Sequence, residues 1–286
     1  MAGGIISQKN AEFKRKDVTI LERVRLKNII ILILALLNCF LIGTMALRRL
    51  QADNAQARMA LELSRLFASD GILLEATAVP SVSSPATRTP VRNTEEDKLL
   101  AAFFLGENLT VQDEGGGIYT CRSSSGEALF RSNGSFEVRF LNDQQDAPAL
   151  VQQFCEAFQY QDLKWELVQN TGTATVLQYV DDCPVTDASA VFRIENGYLR
   201  SVSGIHLPQD STVSDEQPLT AATALTLFLQ ERRISGAVIS SVSRVYPCYR
   251  LQTTSASPMT LSPAWCIETN TGKCYVNSST GAVTLP

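Results

Sequence analysis

The chain has 286 residues, 45% apolar and 19% charged, enough to bury an ordinary core and unlike the composition of a disordered chain. Its net charge of −4 is unevenly spread: residues 1–28 carry seven Lys or Arg against three acids, and the remainder carries 18 against 26. So acidic a body argues against binding nucleic acid, which needs cations to neutralise phosphates. The change of sign along the chain points to two different surroundings.

After the basic residues 1–28 comes a stretch without charge, Asn28 to Leu47, in which Ile29–Leu37 is apolar without a break. At about 1.5 Å per residue a helix of this length spans roughly 30 Å, the thickness of a bilayer's hydrocarbon core. A buried core helix would be shorter and would show a polar face. A cleaved signal peptide competes, with a small-residue site at Thr44-Met45-Ala46. Its basic and apolar regions are normally much shorter than these, which favours an uncleaved anchor over residues 29–47. The Lys and Arg before the span outweigh Arg48, Arg49, Arg58 and Arg65 after it, so the N-terminus is expected in the cytoplasm and the rest outside. Within the span, Asn38 is a mid-membrane amide and Ala35 shares its face. Together they form a candidate contact with a partner helix, unless Asn38 bonds its own backbone.

Residues 48–75 form a juxtamembrane segment. Ala52, Ala55, Met59, Leu63 and Leu66 recur at helical spacing over Gln51–Ser69, and Asp70-Gly71 is the expected stop. This stripe serves either a stalk that pairs with another helix or simple packing on the domain behind it. Residues 76–94, with Pro80, Pro85, Pro90 and many Ser and Thr, have the composition of a linker.

Three α+β units are predicted after it. In residues 95–145, Thr94 caps a helix Glu95–Leu105 that Gly106 stops, followed by strands Gly117–Ser123, Ala128–Ser132 and Ser135–Leu141. In residues 146–210, Asp146 caps a helix Ala147–Phe158. Strands Leu163–Gln169, Thr173–Val180, Ser189–Glu195 and Tyr198–His206 follow. In residues 211–286, Pro218-Leu219-Thr220 leads a helix to about Arg233. Strands follow at Ala237–Tyr246, Cys248–Thr253, Ala264–Thr269, Lys273–Asn277 and Ala282–Leu285. A helix and then an antiparallel meander, three times over, is the pattern of stacked α+β units.

Cys39 lies in the span and reads as a small apolar residue. The other six cysteines lie outside, where oxidation is possible. Cys266 and Cys274 flank the turn Asn270-Thr271-Gly272. A hairpin symmetric about Asn270 brings them face to face as a candidate disulfide; buried reduced thiols are the alternative. The spacing of His206, the lone histidine, and of the cysteines supports no metal site. No phosphate loop or nucleophile motif occurs, Gly115-Gly116-Gly117 reads as a turn, and Asp181-Asp182 lacks the spacing of a calcium loop. No cofactor, small-molecule ligand or catalytic residue is expected, and the chain is read as a non-enzyme.

The lead Arg25-Leu26-Lys27-Asn28 into Ile29–Leu37, then Leu63-Ser64-Arg65-Leu66-Phe67 through Ile72 and the Pro-rich stretch, resembles YycI/YycH-type regulatory membrane proteins. Pro263-Ala264-Trp265-Cys266-Ile267-Glu268, then Lys273-Cys274-Tyr275-Val276-Asn277 and Thr280-Gly281, resembles a PepSY-like hairpin carrying Trp265 and Tyr275. The resemblance implies PepSY-like units and a role in the plasma membrane of a Gram-positive-type bacterium. There the protein would tune a sensor histidine kinase of cell-wall metabolism by protein contacts, with the kinase or a second single-pass regulator as partner. The alternative it leaves is a cell-surface binding or peptidase-inhibitory module. The longer tail and the six external cysteines depart from the family.

Overall fold

The computed structural model describes residues 4–144, 147–252 and 259–286, and the chain divides into two compact units, Met1–Met59 and Ala60–Pro286. The first is helical. α1 runs Gly4–Ser69, so the two predicted helices on either side of residue 48 are one, and its turns from Ala60 onward belong to the second unit. The stretch Ile33–Ser69 contains an 18-residue window of mean hydropathy 1.6, none of it buried, and is long and apolar enough to cross a membrane.

In the second unit the buried row of α1 is Ala60, Leu63 and Phe67, at spacings of three and four. This corrects the predicted stripe. Met59 and Leu66 are 45% and 39% exposed, because the apolar residues of this segment offer two adjacent rows and packing selects only one. Phe67 stacks on Phe228, with ring centroids 6.1 Å apart. The helix ends as predicted at Asp70-Gly71. The Ile72 amide donates to the Phe67 carbonyl at 2.9 Å, the Gly71 amide donates to the Ala68 carbonyl, and Gly71 adopts φ 73. This is the left-handed closure that glycine permits.

β1 (Leu73–Leu74), a 3-10 turn at Ala76–Ala78 and β2 (Arg88–Pro90) follow. Residues 76–94 are therefore no free linker. β2 is paired, Ser84 is buried with its hydroxyl donating to Ser278, and Val79 enters a core. α2 (Thr94–Leu105) is capped by Asn93, whose side chain accepts from the Glu95 amide, not by Thr94 as predicted.

β3 (Thr110–Gly115), β4 (Ile118–Arg122), β5 (Gly126–Phe130) and β6 (Ser135–Gln144) come next, then α3 (Ala147–Phe158). The expected cap of α3, Asp146, lies outside the described residues. β7 (Tyr160–Val168), β8 (Thr171–Val180), β9 (Cys183–Glu195) and β10 (Tyr198–Ile205) complete one antiparallel sheet in the order β7-β8-β9-β10-β6-β5-β4-β3. Leu100 and Phe104 of α2 and Val151 and Phe154 of α3 enter a single core on it, so the first two predicted units share their interior. β9 is longer than expected because Asp181-Asp182, at φ 48 and 60, make a two-residue hairpin loop between Val180 and Cys183. Aspartate tolerates that left-handed backbone better than most residues.

The remainder is β11 (Ser211–Val213), α4 (Ala221–Ser235), β12 (Ser241–Gln252), β13 (Thr260–Thr269), β14 (Gly272–Asn277) and β15 (Val283–Thr284). Thr220 caps α4 by accepting from the Thr223 amide, and Gly236 closes it at φ 70. β12 unites two predicted strands across Pro247, which sits where β12 has a strand on only one side, the edge position a strand proline needs. Thr253 lies outside the described residues. The second core gathers Phe67, Leu225 and Phe228 with Trp265, Ile267, Cys274 and Val276. A parallel bridge, Tyr249 to Val185, joins the two sheets.

Candidate functional site

The C-terminal hairpin is centred between Asn270 and Thr271, since Thr269 pairs with Gly272. Cys266 therefore lies opposite Tyr275, and Cys274 opposite Ile267. This corrects the expected facing pair. A shift of half a residue in the turn's centre sends the two thiols to opposite faces of the sheet. Both are free and buried, Cys274 in the core with Ile267, and Cys266 beside Cys248 and Ala264. Trp265 and Tyr275 do lie on paired strands, again on opposite faces. Trp265 is fully buried, and its indole N–H donates to the Leu219 carbonyl at 2.9 Å, fastening β13 to the start of α4.

On the face away from α4 the register stacks like residues across three strands. Arg244, Glu268 and Lys273 form one row; Tyr246, Cys266 and Tyr275 form the next. Tyr246 donates to Glu268 at 3.1 Å, and Lys273 donates to the Tyr246 oxygen at 3.3 Å. Arg244 lies 4.8 Å from the Tyr246 ring centroid and Arg250 lies 4.4 Å from that of Tyr275. Arg250 is held in turn by Asp187 at 2.7 Å.

Arg244, Tyr246, Glu268, Lys273 and Tyr275 of these rows line a polar cleft of about 520 Å³, together with Asp162, Lys164, Tyr179 and Asp182. Tyr179 donates to Asp162 at 2.6 Å. Burial, aided by neighbouring acids and thiols, pushes the phenols of Tyr179 and Tyr275 up to about 12 and that of Tyr246 higher. Burial likewise raises the thiols of Cys248, Cys266 and Cys274, the last to about 11. At neutral pH these groups are neutral, so the phenols serve as donors and stacking surfaces and the thiols are poor nucleophiles. Tyrosine with arginine is the composition of a contact surface.

Elsewhere, His206 is 4% exposed, stacked near Tyr160 and edge-on to Phe158, and its Nδ1 has no partner among the described residues. Burial lowers its pKa to about 4. It is a packing residue of the first core's margin. Asp181 pairs with Arg88 and holds a turn, which accounts for the acidic doublet. Ala35 and Asn38 are exposed on α1, and Thr44 returns its hydroxyl to the Leu41 carbonyl. Sequence reasoning missed the cleft because its walls come from six strands scattered over more than a hundred residues. The one local signal was alternation along Arg244, Tyr246 and Cys248.

No family model and no curated protein matches the chain. Among solved structures it is similar to an uncharacterized protein from Eubacterium rectale, at 11% identity and a TM-score of 0.45, over 72% of this chain and 86% of that one. It is also similar to the C-terminal domain of YpeB from Bacillus megaterium, at 12% identity and a TM-score of 0.35, over 68% of this chain and 98% of that domain. At these TM-scores neither likeness says what this chain does.

Proposed function

We propose that this chain is a single-pass membrane protein whose second unit lies outside the cell and acts by protein contacts as an accessory regulator of a sensor histidine kinase. In this reading residues 1–28 are cytoplasmic, α1 crosses the bilayer over residues 29–47, and the helix-plus-strand blocks are PepSY-like units. The observation that carries the contact role is the cleft, where Tyr179, Tyr246 and Tyr275 stand as neutral donors, with Arg244 of the lining against the Tyr246 ring and Arg250, outside the lining, against the Tyr275 ring. Such side chains supply most of the binding energy at protein interfaces. The resemblance of the sequence to YycI/YycH-type regulators suggests the kinase, and the excess of Lys and Arg before the span suggests the extracytoplasmic orientation.

The test is co-purification of the full chain from membranes, with a photo-crosslinking residue placed at Tyr275. Recovery of a histidine kinase or a second single-pass regulator, lost when Tyr246→Ala is added, supports the proposal. Capture of neither rejects it. Capture of a secreted peptidase, or inhibition of one, favours the surface-module reading instead. Protease added to intact protoplasts should digest the chain beyond Leu50 and spare the first 28 residues; a protected C-terminal unit overturns the orientation.

A further inference from the structure

β7 is an outer strand of its sheet: it pairs with β8 alone, and no described strand covers its other edge. An open edge is a template for another strand, and proteins commonly blunt it with proline, with charge or by brevity. The opposite edge, β3, carries Asp113 and Glu114 side by side, so a second copy would meet like charge. β7 has nine residues, no proline, a bulge between Gln161 and Lys164, and four apolar side chains that meet solvent, Leu163, Trp165, Leu167 and Val168, at 38%, 38%, 40% and 76%. Its charges are Asp162, whose carboxylate accepts from Tyr179, and Lys164 and Glu166, two residues apart around Trp165, both exposed and neither in a salt bridge among the described residues.

The hairpin fixes which backbone groups reach outward. Gln169 and Asn170, at φ 49 and 63, form a two-residue loop that closes on the pair Val168–Thr171. Such a loop makes its closing pair hydrogen-bonded, so Val168, Glu166 and Lys164 turn their backbone groups toward β8. The Glu166 carbonyl does lie against Gly172 of β8, so closely that an added Cβ there would come within 2.0 Å of it. Trp165 and Leu167 consequently present their N–H and C=O groups to the open edge.

An antiparallel copy of β7 must match outward groups with outward groups, and three such registers set Lys164 and Glu166 against each other or against themselves. Centring the two-fold axis on Lys164 puts Lys164 against itself, and centring it on Glu166 puts Glu166 against itself. Centring it on Trp165 puts each Lys164 opposite the other copy's Glu166, within the regular part of the strand from Lys164 to Val168. The two charge pairs then fall at non-hydrogen-bonded positions, where facing side chains come closest. We propose that two copies of this chain associate through β7, antiparallel and in register about Trp165, to make one continuous sheet. This interface does not rest on the kinase reading, although Lys164 also lines the polar cleft, and a chain held in a membrane would meet its copy at raised local concentration.

The experiment is sedimentation of the full chain in detergent, comparing wild type with Lys164→Glu, Glu166→Lys and the double swap. Each single variant turns two attractive pairs into two repulsive ones, and the dimer should weaken by roughly tenfold or more. The double swap restores opposite charges in the same register and should return to within about threefold of wild type. High salt should weaken the wild-type dimer. A monomeric wild type overturns the proposal, as does a dimer indifferent to all three variants. A double swap as weak as the singles, with unchanged circular dichroism, also overturns it, because Lys164 and Glu166 then do not face each other.

Discussion

Truncating Phe67 tests whether the end of α1 is part of the folded unit. Its ring is fully buried, stacks on Phe228 and sits in the core with Trp265. Phe67→Ala removes that ring from a site closed by α4 and β13, where collapse is hindered, so a loss of about 3–5 kcal/mol is expected. That is a large share of the roughly 5–15 kcal/mol that keeps a domain folded. Leu66→Ala, one residue earlier on the exposed side, should lose under about 1 kcal/mol, since much of that side chain already meets solvent. The measurement is urea unfolding of the full chain in detergent, followed by Trp265 fluorescence in a Trp165→Phe background. A loss below about 1 kcal/mol for Phe67→Ala, or an equal loss for Leu66→Ala, would refute the observed burial and restore the stripe expected from sequence.

His206 should make stability sensitive to acid. Its folded pKa, about 4, lies below the ordinary 6.5, so the neutral ring is favoured in the native state. The contribution is present above pH 6.5 and is lost as pH falls toward 4, about 3 kcal/mol at roughly 1.4 kcal/mol per pH unit. His206→Gln should flatten that part of the pH profile; an unchanged slope would show the ring to be accessible to protons. Cys266 and Cys274 should react with a thiol reagent only after unfolding, and peptide mapping that finds them disulfide-linked would contradict the register of β13 and β14. If the membrane helix carries part of the proposed regulation, Asn38→Leu should weaken association with a partner helix by about 1–2 kcal/mol and leave insertion intact. Unchanged cross-linking and kinase output would make the helix a mere anchor.

What the sequence determined by itself was whatever depends on near neighbours. The uncharged run from Asn28 to Leu47 needs only its own length to be apolar enough for a bilayer. Gly71 and Gly106 end helices where they were expected to, because a closing residue at positive φ is a local requirement, and Gly236 closes α4 a little beyond the expected end near Arg233. The helices at Glu95–Leu105 and Ala147–Phe158 and the hairpin of Cys274 followed from periodicity and turn residues. Where two local solutions were nearly equal, tertiary packing chose. Asn93 and Thr94 are both good caps, and the first was used. Two apolar rows run along the end of α1, and the one meeting Phe228 was buried. The turn at Asn270-Thr271 could be centred on a residue or between two, and the difference placed Cys266 and Cys274 on opposite faces. The pairing of β2 with β11 and β13 joins residues more than a hundred positions apart, so the Pro- and Ser-rich segment resembled a linker until its partners were known. The tyrosine cleft and the open edge of β7 are of the same kind. Each depends on which strands become neighbours and which strand is left last in its sheet, and long-range pairing alone sets that order.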